Sequence, residues 1–162
     1  MLVAVIADTH MPRGGRRLPD ACVERLRAVG LILHAGDVVA ESVFDELGAL
    51  GPAVQAVHGN MDDAALRKRL PATLVVEAGG LRIGMTHDAG PRAGREERLA
   101  RMFPGCAAAV YGHTHLPQVD QAGETLILNP GSPTERRRAP WHSMLVLGVG
   151  DGRIRPELLA LS

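Results

Sequence analysis

Aromatic side chains and excess charge are both scarce in this sequence of 162 residues. Phe, Trp and Tyr together make up 2%, so few side chains are available to stack on nucleic-acid bases. The 18 basic and 18 acidic residues give a formal net charge of zero, so no overall field attracts nucleic acid or an anionic membrane. These absences argue against a membrane partner and weakly against nucleic acid, which they do not exclude.

Cysteines and long apolar runs are scarce as well. The two cysteines, Cys22 and Cys106, do not form a CxxC pair, which argues against a disulfide framework or a thiolate metal site. No apolar stretch approaches the length needed to cross a bilayer, and no basic leader precedes the first apolar run. We therefore expect a soluble, cytoplasmic protein, and the length fits a single domain over residues 1–162.

Short apolar runs alternate with helical periods in the first half of the chain. Residues 2–7, 31–33 and 53–57 are apolar runs typical of buried strands, and each precedes a helical stretch or a loop that leads to one. Later, a Gly-Gly pair separates residues 73–77 from residues 81–86, which predicts a β-hairpin. Three strand–helix units followed by strand-rich sequence predict an α/β fold with two sheets in a sandwich and helices outside.

Two of the predicted helices have definite boundaries or faces. One begins near Asp20 and is closed by Gly30, a common residue just past a helix end. The other places Leu99, Met102 and Phe103 on its buried side and ends before the Pro-Gly pair that follows.

Residues of the types that bind divalent metals follow the predicted strands. Asp8 and His10 are two positions apart, and if the backbone stays extended there, both side chains leave on the same side. His113 and His115 have the same spacing. Because sites form at the carboxyl ends of strands in open α/β sheets, we expect all these side chains to converge. The seven predicted ligands are Asp8, His10, Asp37, Asn60, His87, His113 and His115.

Seven ligands are too many for one small ion and suit two ions that share a carboxylate. Oxygen and imidazole ligands without thiolate favour Mn, Fe, Co or Zn. Two ions roughly 3.5–4 Å apart are a known arrangement for in-line displacement at phosphorus. Two divalent ions against two aspartates leave an excess of positive charge. That excess favours an anionic substrate such as a phosphodiester, without excluding a monoester.

Six short motifs carry a family resemblance. They are Asp8-Thr9-His10, Gly36-Asp37, Gly59-Asn60-Met61-Asp62, Thr86-His87, Gly112-His113-Thr114-His115 and Asn129-Pro130-Gly131-Ser132. Together they resemble the calcineurin-like metallophosphoesterase superfamily along nearly the whole chain. More narrowly, the chain is similar to the small single-domain bacterial and archaeal phosphodiesterase branch of that superfamily.

The resemblance implies a fold, a ligand assignment and a cofactor. The fold is a four-layer αββα sandwich of two mixed β-sheets flanked by helices. One ion is held by Asp8, His10, Asp37 and His115, and the other by Asp37, Asn60, His87 and His113. Asp37 is then the bridge between two divalent ions, with Mn favoured and Fe, Zn, Co, Ni or Mg as alternatives.

Two positions depart from the pattern of the superfamily. Many members carry a histidine directly after the metal-binding asparagine, where this chain has Met61. The small branch commonly lacks that histidine, so the general acid is left open. Asp88 stands after the ligand histidine, where a glycine is usual, and it bears on the second metal site or on the approach of substrate.

Other residues near the predicted ligands each have two interpretations. His58 either reaches the substrate or supports the site from behind, and His34 is expected to be a packed neighbour of Asp37. Arg13 contacts substrate or lies on a surface loop. The run Arg136–Arg138 is a solvated face or steers phosphate groups. Our predicted catalytic residues are Asp37, Asn60 and His58, and our predicted substrate-binding residues are Asn60, His58 and Arg13.

These inferences predict a dinuclear metal-dependent phosphodiesterase. It hydrolyses small or activated phosphodiesters by attack of a hydroxide that bridges the two metals. One alternative is a phosphomonoesterase or nuclease of the same superfamily. Another is a protein-binding scaffold of this fold with little activity. The partner we expect is a small-molecule phosphodiester, and the sequence leaves self-association into a homo-oligomer open.

Overall fold

Two five-stranded sheets pack face to face in the computed structural model, which describes residues 1–161. Residue 162, the last of the predicted domain, lies outside the described residues. The helices are α1 (Asp20–Arg27), α2 (Glu41–Gly48), α3 (Ala64–Arg69) and α4 (Arg95–Met102). The strands are β1 (Leu2–Ile6), β2 (Leu31–His34), β3 (Ala53–Ala56), β4 (Thr73–Ala78), β5 (Leu81–Thr86), β6 (Ala108–Val110), β7 (Gln118–Ala122), β8 (Thr125–Asn129), β9 (Ser143–Gly150) and β10 (Arg153–Ala160). Across residues 1–161, no helix is long and apolar enough to span a bilayer.

The first sheet has the strand order β10-β9-β1-β2-β3. Strands β1, β2 and β3 are parallel, and β9 and β10 continue the sheet in antiparallel pairing. Since α1 and α2 connect the parallel strands, the carboxyl ends of β1, β2 and β3 all lie at one edge of this sheet.

The second sheet has the strand order β4-β5-β6-β8-β7. Strands β5, β6 and β8 are parallel, whereas β4 and β7 pair in the antiparallel sense at its two edges. The predicted hairpin is confirmed as the β4–β5 pair, in which Ala78 is paired with Leu81 across the Gly-Gly turn.

Three apolar clusters define the layers of the molecule. The central one joins the two sheets, with Val3 and Leu33 from one sheet and Ile83 from the other. A second cluster packs α1 and α2 on the outside of the first sheet, and a third packs α4 on the outside of the second. Because β1 is covered on both faces, its sequence is an unbroken apolar run. The predicted four-layer αββα sandwich is therefore confirmed.

Some local predictions were wrong at helix ends and faces. Helix α1 ends at Arg27, before the predicted stop at Gly30. In α4, Leu99 and Phe103 are buried, but Met102 is 42% exposed. Two residues on the buried face suffice there, because Phe103 packs against Gly84 of the second sheet and fills the space beside it. Both cysteines are buried free thiols, and burial raises the pKa of Cys22 to about 12.

Candidate metal centre

The ends of strands from both sheets deliver the predicted ligands into two adjoining groups. Asp8, His10 and His115 form the first group, and within it the candidate ligand atoms all lie within 4.8 Å of one another. The second group, with the same spacing, consists of Asp37, His87 and His113. The first group therefore draws on β1 of one sheet and on the loop after β6 of the other, so the centre forms where the two sheets meet.

One carboxylate oxygen lies between the two groups. Oδ2 of Asp37 is 3.3 Å from Nε2 of His10 and 3.2 Å from Nε2 of His87. These imidazoles belong to different groups, so Asp37 stands where a bridging ligand is needed. The resemblance assigned this position to Asp37, and the geometry is compatible with it.

Asp8 and Asn60 complete the arrangement. Oδ1 of Asp8 is 3.8 Å from Nε2 of His10 and 3.6 Å from Nε2 of His115. Oδ1 of Asn60 lies 3.1 Å from Nε2 of His87, beside the second group. All seven predicted ligands are thus neighbours in space, although they come from five separate segments of the chain.

The backbone at the ligands is not extended, which corrects the expectation drawn from the two-residue spacings. Five ligand residues have positive φ angles, in the left-handed region that L-residues rarely adopt. The angles are 56° at Asp8, 47° at His10, 60° at Asp37, 69° at His113 and 61° at His115. Backbone strain of this kind gathers at functional sites, where the surrounding structure holds it in place.

Buried polar atoms without partners give a direct test of whether the residues fit metal ions. Within residues 1–161, Oδ1 of Asp8, Nε2 of His10 and Nε2 of His115 are buried and make no hydrogen bond. Such atoms destabilise a fold unless something satisfies them. All three belong to the first group and are oxygen or imidazole ligand atoms, so a divalent cation fits the donor set.

The electrostatics of the centre also favour a cation. Burial alone lowers the pKa of His10, but the nearby carboxylates of Asp37 and Asp8 outweigh it and raise the pKa to about 9. Burial alone raises the pKa of Asp37, but the imidazoles of His10 and His87 beside it hold that pKa well below its usual range. Both shifts have one cause, which is that two buried carboxylates attract positive charge.

Asp62 holds the loops that carry Asp37 and Asn60, a role that the sequence analysis did not assign. Its Oδ2 accepts hydrogen bonds from the backbone N–H of Gly59 at 2.6 Å and of Asp37 at 3.2 Å. Its Oδ1 accepts from the N–H of Val39 at 2.6 Å. The signal was present in the motif, because a carboxylate three residues after Gly59 is well placed to bind loop amides.

His34 forms hydrogen bonds with the loops that carry the ligands, as expected for a supporting residue. It is fully buried, and burial lowers its pKa to about 3, so the ring is neutral. Its Nδ1 accepts a hydrogen bond from the N–H of Gly36 at 3.1 Å. The ring proton is therefore on Nε2, which donates to the hydroxyl of Thr9 at 3.1 Å, between the ligands Asp8 and His10.

A loop after β8 supports the first group, and sequence reasoning missed its key residue, Glu135. The backbone carbonyl of Glu135 accepts a hydrogen bond from Nδ1 of His115. Its Oε2 lies 3.7 Å from Nδ1 of His10, and its Oε1 accepts from the guanidinium of Arg16 at 3.0 Å. Ser132 ties the loop to the ligand strand by donating to the carbonyl of Asp8 at 2.8 Å. Only the fold brings these residues together.

We expect Glu135→Gln to weaken metal binding at the first group by about 10- to 100-fold, the usual effect of losing a partner that orients a ligand. Gln keeps the backbone carbonyl for His115 but removes the negative charge beside His10. Calorimetric titration of metal-free protein with Mn²⁺ measures this change. Glu157→Gln, at an exposed carboxylate on β10, is the matched control. Equal affinities in the two variants would show that Glu135 does not position His10.

The remaining predicted site residues have less defined positions. His58 is half-buried and lines a cavity together with Asn60, His87 and Asp88. Asp88 is exposed, and its carboxylate accepts a hydrogen bond from the N–H of Gly90 at 2.8 Å. Arg13 is exposed in a short 3-10 turn, where its carbonyl accepts from the Arg16 guanidinium. Substrate contact by His58 and Arg13 stays a prediction.

Known proteins share both the sequence and the architecture of this chain. A protein of Methanothermobacter thermautotrophicus named "Probable metallophosphoesterase" is 34% identical over 161 residues, which cover 98% of this chain and 92% of that protein. A probable metallophosphoesterase of Methanocaldococcus jannaschii is 38% identical over 154 residues, or 93% of this chain and 77% of that protein.

Solved structures support the same relationship. Wild-type Vps29 of Entamoeba histolytica complexed with Zn²⁺ has a TM-score of 0.77 and 25% identity, with 100% of both chains covered. An archaeal phosphodiesterase with a TM-score of 0.74 covers 98% of this chain and 100% of its own, and at 21% identity it shows the fold alone. The calcineurin-like phosphoesterase superfamily domain itself matches residues 1–152. This chain therefore belongs to the calcineurin-like phosphoesterase superfamily, as its motifs predicted.

Proposed function

We propose that the chain is a dinuclear metal-dependent phosphodiesterase. One observation carries the proposal: Oδ2 of Asp37 lies 3.3 Å and 3.2 Å from imidazole nitrogens of the two ligand groups. A shared carboxylate between two groups of nitrogen and oxygen atoms is what a pair of ions requires. The first ion is assigned to the group of His10 and His115, and the second to the group of His87 and His113.

The two ions, when bound, supply an activated water for attack at phosphorus and neutralise the charge of the transferring group. The chain contributes the frame that holds them. Asp8 and Asp37 are the charged ligands, both buried, and their negative charges offset only part of the charge of two divalent ions. The net positive charge favours an anionic phosphate ester as substrate.

Neighbouring residues orient Asn60 toward the second ligand group. Its side-chain oxygen lies beside His87, and its backbone carbonyl accepts a hydrogen bond from the guanidinium of Arg67. Arg67 also donates to the carbonyl of Asp62 at 3.0 Å, which fixes the turn from both sides. We infer that this turn presents the Asn60 amide to the second ion and to a phosphate oxygen of the substrate.

Two cavities next to the second ligand group support a diester over a monoester. One, of about 310 Å³, is lined by Asn60, His87 and His58. The other, of about 360 Å³, is lined by His113 and Leu116. A phosphodiester carries two organic groups on its phosphorus, and each cavity has room for one of them.

The leaving group has no imidazole directly after Asn60 to protonate it. Met61 occupies that position and contributes its backbone N–H, which donates to Oδ1 of Asp37 at 2.8 Å. His58 is the remaining histidine in this cavity, and we propose it as a secondary proton donor. Substrates with acidic leaving groups are therefore favoured, because they depart without a proton.

We expect metal-reconstituted protein to hydrolyse bis(p-nitrophenyl) phosphate faster than p-nitrophenyl phosphate, with about two ions bound per chain. The measurement is kcat/KM for both esters with Mn²⁺ and after chelation, together with metal analysis. A series of diesters should lose rate steeply as the pKa of the leaving group rises.

Each other outcome selects a named alternative. Faster hydrolysis of the monoester would make the chain a phosphomonoesterase, and preference for polynucleotides would make it a nuclease. Bound metal without hydrolysis of any ester would favour a protein-binding scaffold, the alternative that the likeness to Vps29 supports. We place the scaffold second, because this chain keeps both complete ligand groups.

A further inference from the structure

The cavity beside His113, proposed above to hold one organic group of the diester, also has two arginines in its wall to which that proposal gives no role. It measures about 360 Å³ and is lined by His113, Thr114, Leu116, Arg137 and Arg138. His113 is a predicted metal ligand, so this space opens directly from the centre. Carboxylates are absent from the described residues that line it, so its charged side chains are both positive.

The two arginines occupy the central positions of a tight turn. The N–H of Ala139 donates to the carbonyl of Arg136 at 2.8 Å, which places Arg137 and Arg138 at the tip. Ala139 is buried, and the N–H of Ser143 donates to the carbonyl of Ser132, so the base of the loop is anchored. The anchored turn projects two neighbouring guanidinium groups from a fixed position.

Arg137 has a left-handed backbone with φ of 47°. Arginine has no local preference for this region, so the anchored loop must hold the conformation. Arg137 is exposed at this turn and lines the cavity next to a predicted metal ligand.

Neither guanidinium is neutralised within the described part of the chain. Arg16 pairs with Glu135 at 3.0 Å and Arg69 pairs with Asp45 at 2.8 Å, whereas Arg137 and Arg138 have no carboxylate partner among residues 1–161.

An apolar side chain completes the cavity. Leu116 is 45% exposed and lies on the same wall as His113, separated from it by two residues. An exposed leucine that shares a cavity with a metal ligand and two arginines suits a ligand that combines an apolar ring, a reacting phosphate and a further negative charge. Nucleotides combine these features.

We propose that the turn of Arg137 and Arg138 binds a second phosphate of the substrate, so that the preferred substrates are phosphodiesters of a phosphorylated nucleoside. The inference rests on the proposed phosphodiesterase function and specifies its substrate class. Guanidinium groups bind phosphate oxygens through paired, charge-assisted hydrogen bonds, which accounts for two adjacent arginines.

The test compares two substrates that differ by one phosphate. One is the p-nitrophenyl phosphodiester of thymidine, and the other is the same diester with a second phosphate on the free sugar hydroxyl. We expect the phosphorylated diester to have a kcat/KM about 10- to 100-fold higher, mainly through KM, as charge-assisted hydrogen bonds to one phosphate allow. In the double variant R137A/R138A this advantage should disappear, so that the ratio of kcat/KM between the two diesters falls to about one.

The double variant R153A/R155A, at exposed arginines on β10, is the matched control and should keep the advantage. Equal kcat/KM for the two substrates in the wild type would overturn the proposal, as would an advantage that survives R137A/R138A. If neither diester is hydrolysed, the phosphodiesterase function fails, and the subsite is judged by binding alone. Thymidine bisphosphate should then bind metal-free protein more tightly than thymidine does, and R137A/R138A should abolish the difference. Equal binding would reject the subsite.

Discussion

We expect Asp37→Asn to lower hydrolysis of bis(p-nitrophenyl) phosphate by more than about 100-fold, because even partners one step removed from a metal change activity by about 10- to 100-fold. Asn has nearly the same shape, and its amide oxygen can still accept the hydrogen bond from the N–H of Met61. What it loses is the charge and the oxygen that lies between His10 and His87. The expected metal content therefore falls below two ions per chain.

The measurements are initial rates at saturating Mn²⁺ and metal analysis after dialysis. Asp45→Asn, at an exposed carboxylate of α2 that pairs with Arg69, is the control for a loss of negative charge elsewhere. It should keep full activity, since surface ion pairs contribute little. Undiminished hydrolysis in Asp37→Asn would reject the shared-carboxylate mechanism.

The second large effect comes from adding one methyl group at Gly59. A Cβ atom there would lie 2.2 Å from Oδ1 of Asp37 and 2.6 Å from its backbone nitrogen. The nitrogen belongs to the backbone, and Oδ1 is held by the N–H of Met61, so Asp37 must move away from His10 and His87. We expect Gly59→Ala to lose most of its bound metal and activity, and to lose about 1–3 kcal/mol of unfolding free energy through overpacking.

Thermal or denaturant unfolding, followed by circular dichroism, separates the effect on stability from the effect on metal content. Gly48→Ala is the matched control, because a Cβ at the end of α2 meets nothing within 4 Å. Since alanine favours helix, this control should be neutral or more stable by up to about 1 kcal/mol. Wild-type metal content in Gly59→Ala would contradict the close contact with Asp37.

Much of the fold was predictable because buried strands and hairpin turns have local signatures. The apolar run at residues 2–7 indicates a strand that is covered on both faces, and the Gly-Gly pair indicates the turn between β4 and β5. Helix ends were less predictable. Helix α1 ends at Arg27, because contacts with the rest of the fold, and not the position of the nearest glycine, decide where the helix ends.

The proximity of the seven candidate ligands was predictable from residue type and from their places after strands, but the residues that support them were not. Nothing near Glu135 in the sequence indicates that its carboxylate faces His10, since that contact depends on how the loop after β8 folds back on β1. The left-handed backbone at Asp8 and His10 was equally hidden. Sequence spacing indicates which residues are near one another, but it does not predict the backbone conformation between them.

The left-handed conformations at the ligands have a consequence for how such proteins diverge. A glycine or asparagine at Asp8, His10 or Asp37 would relax the backbone and remove a charge or a partnerless buried nitrogen. Selection for a stable fold alone would therefore replace these residues one after another. A lineage that no longer needed the chemistry would gain stability by these replacements and lose its metal ligands. The stability of the fold alone therefore does not explain why left-handed Asp8, His10 and Asp37 occur together in this chain.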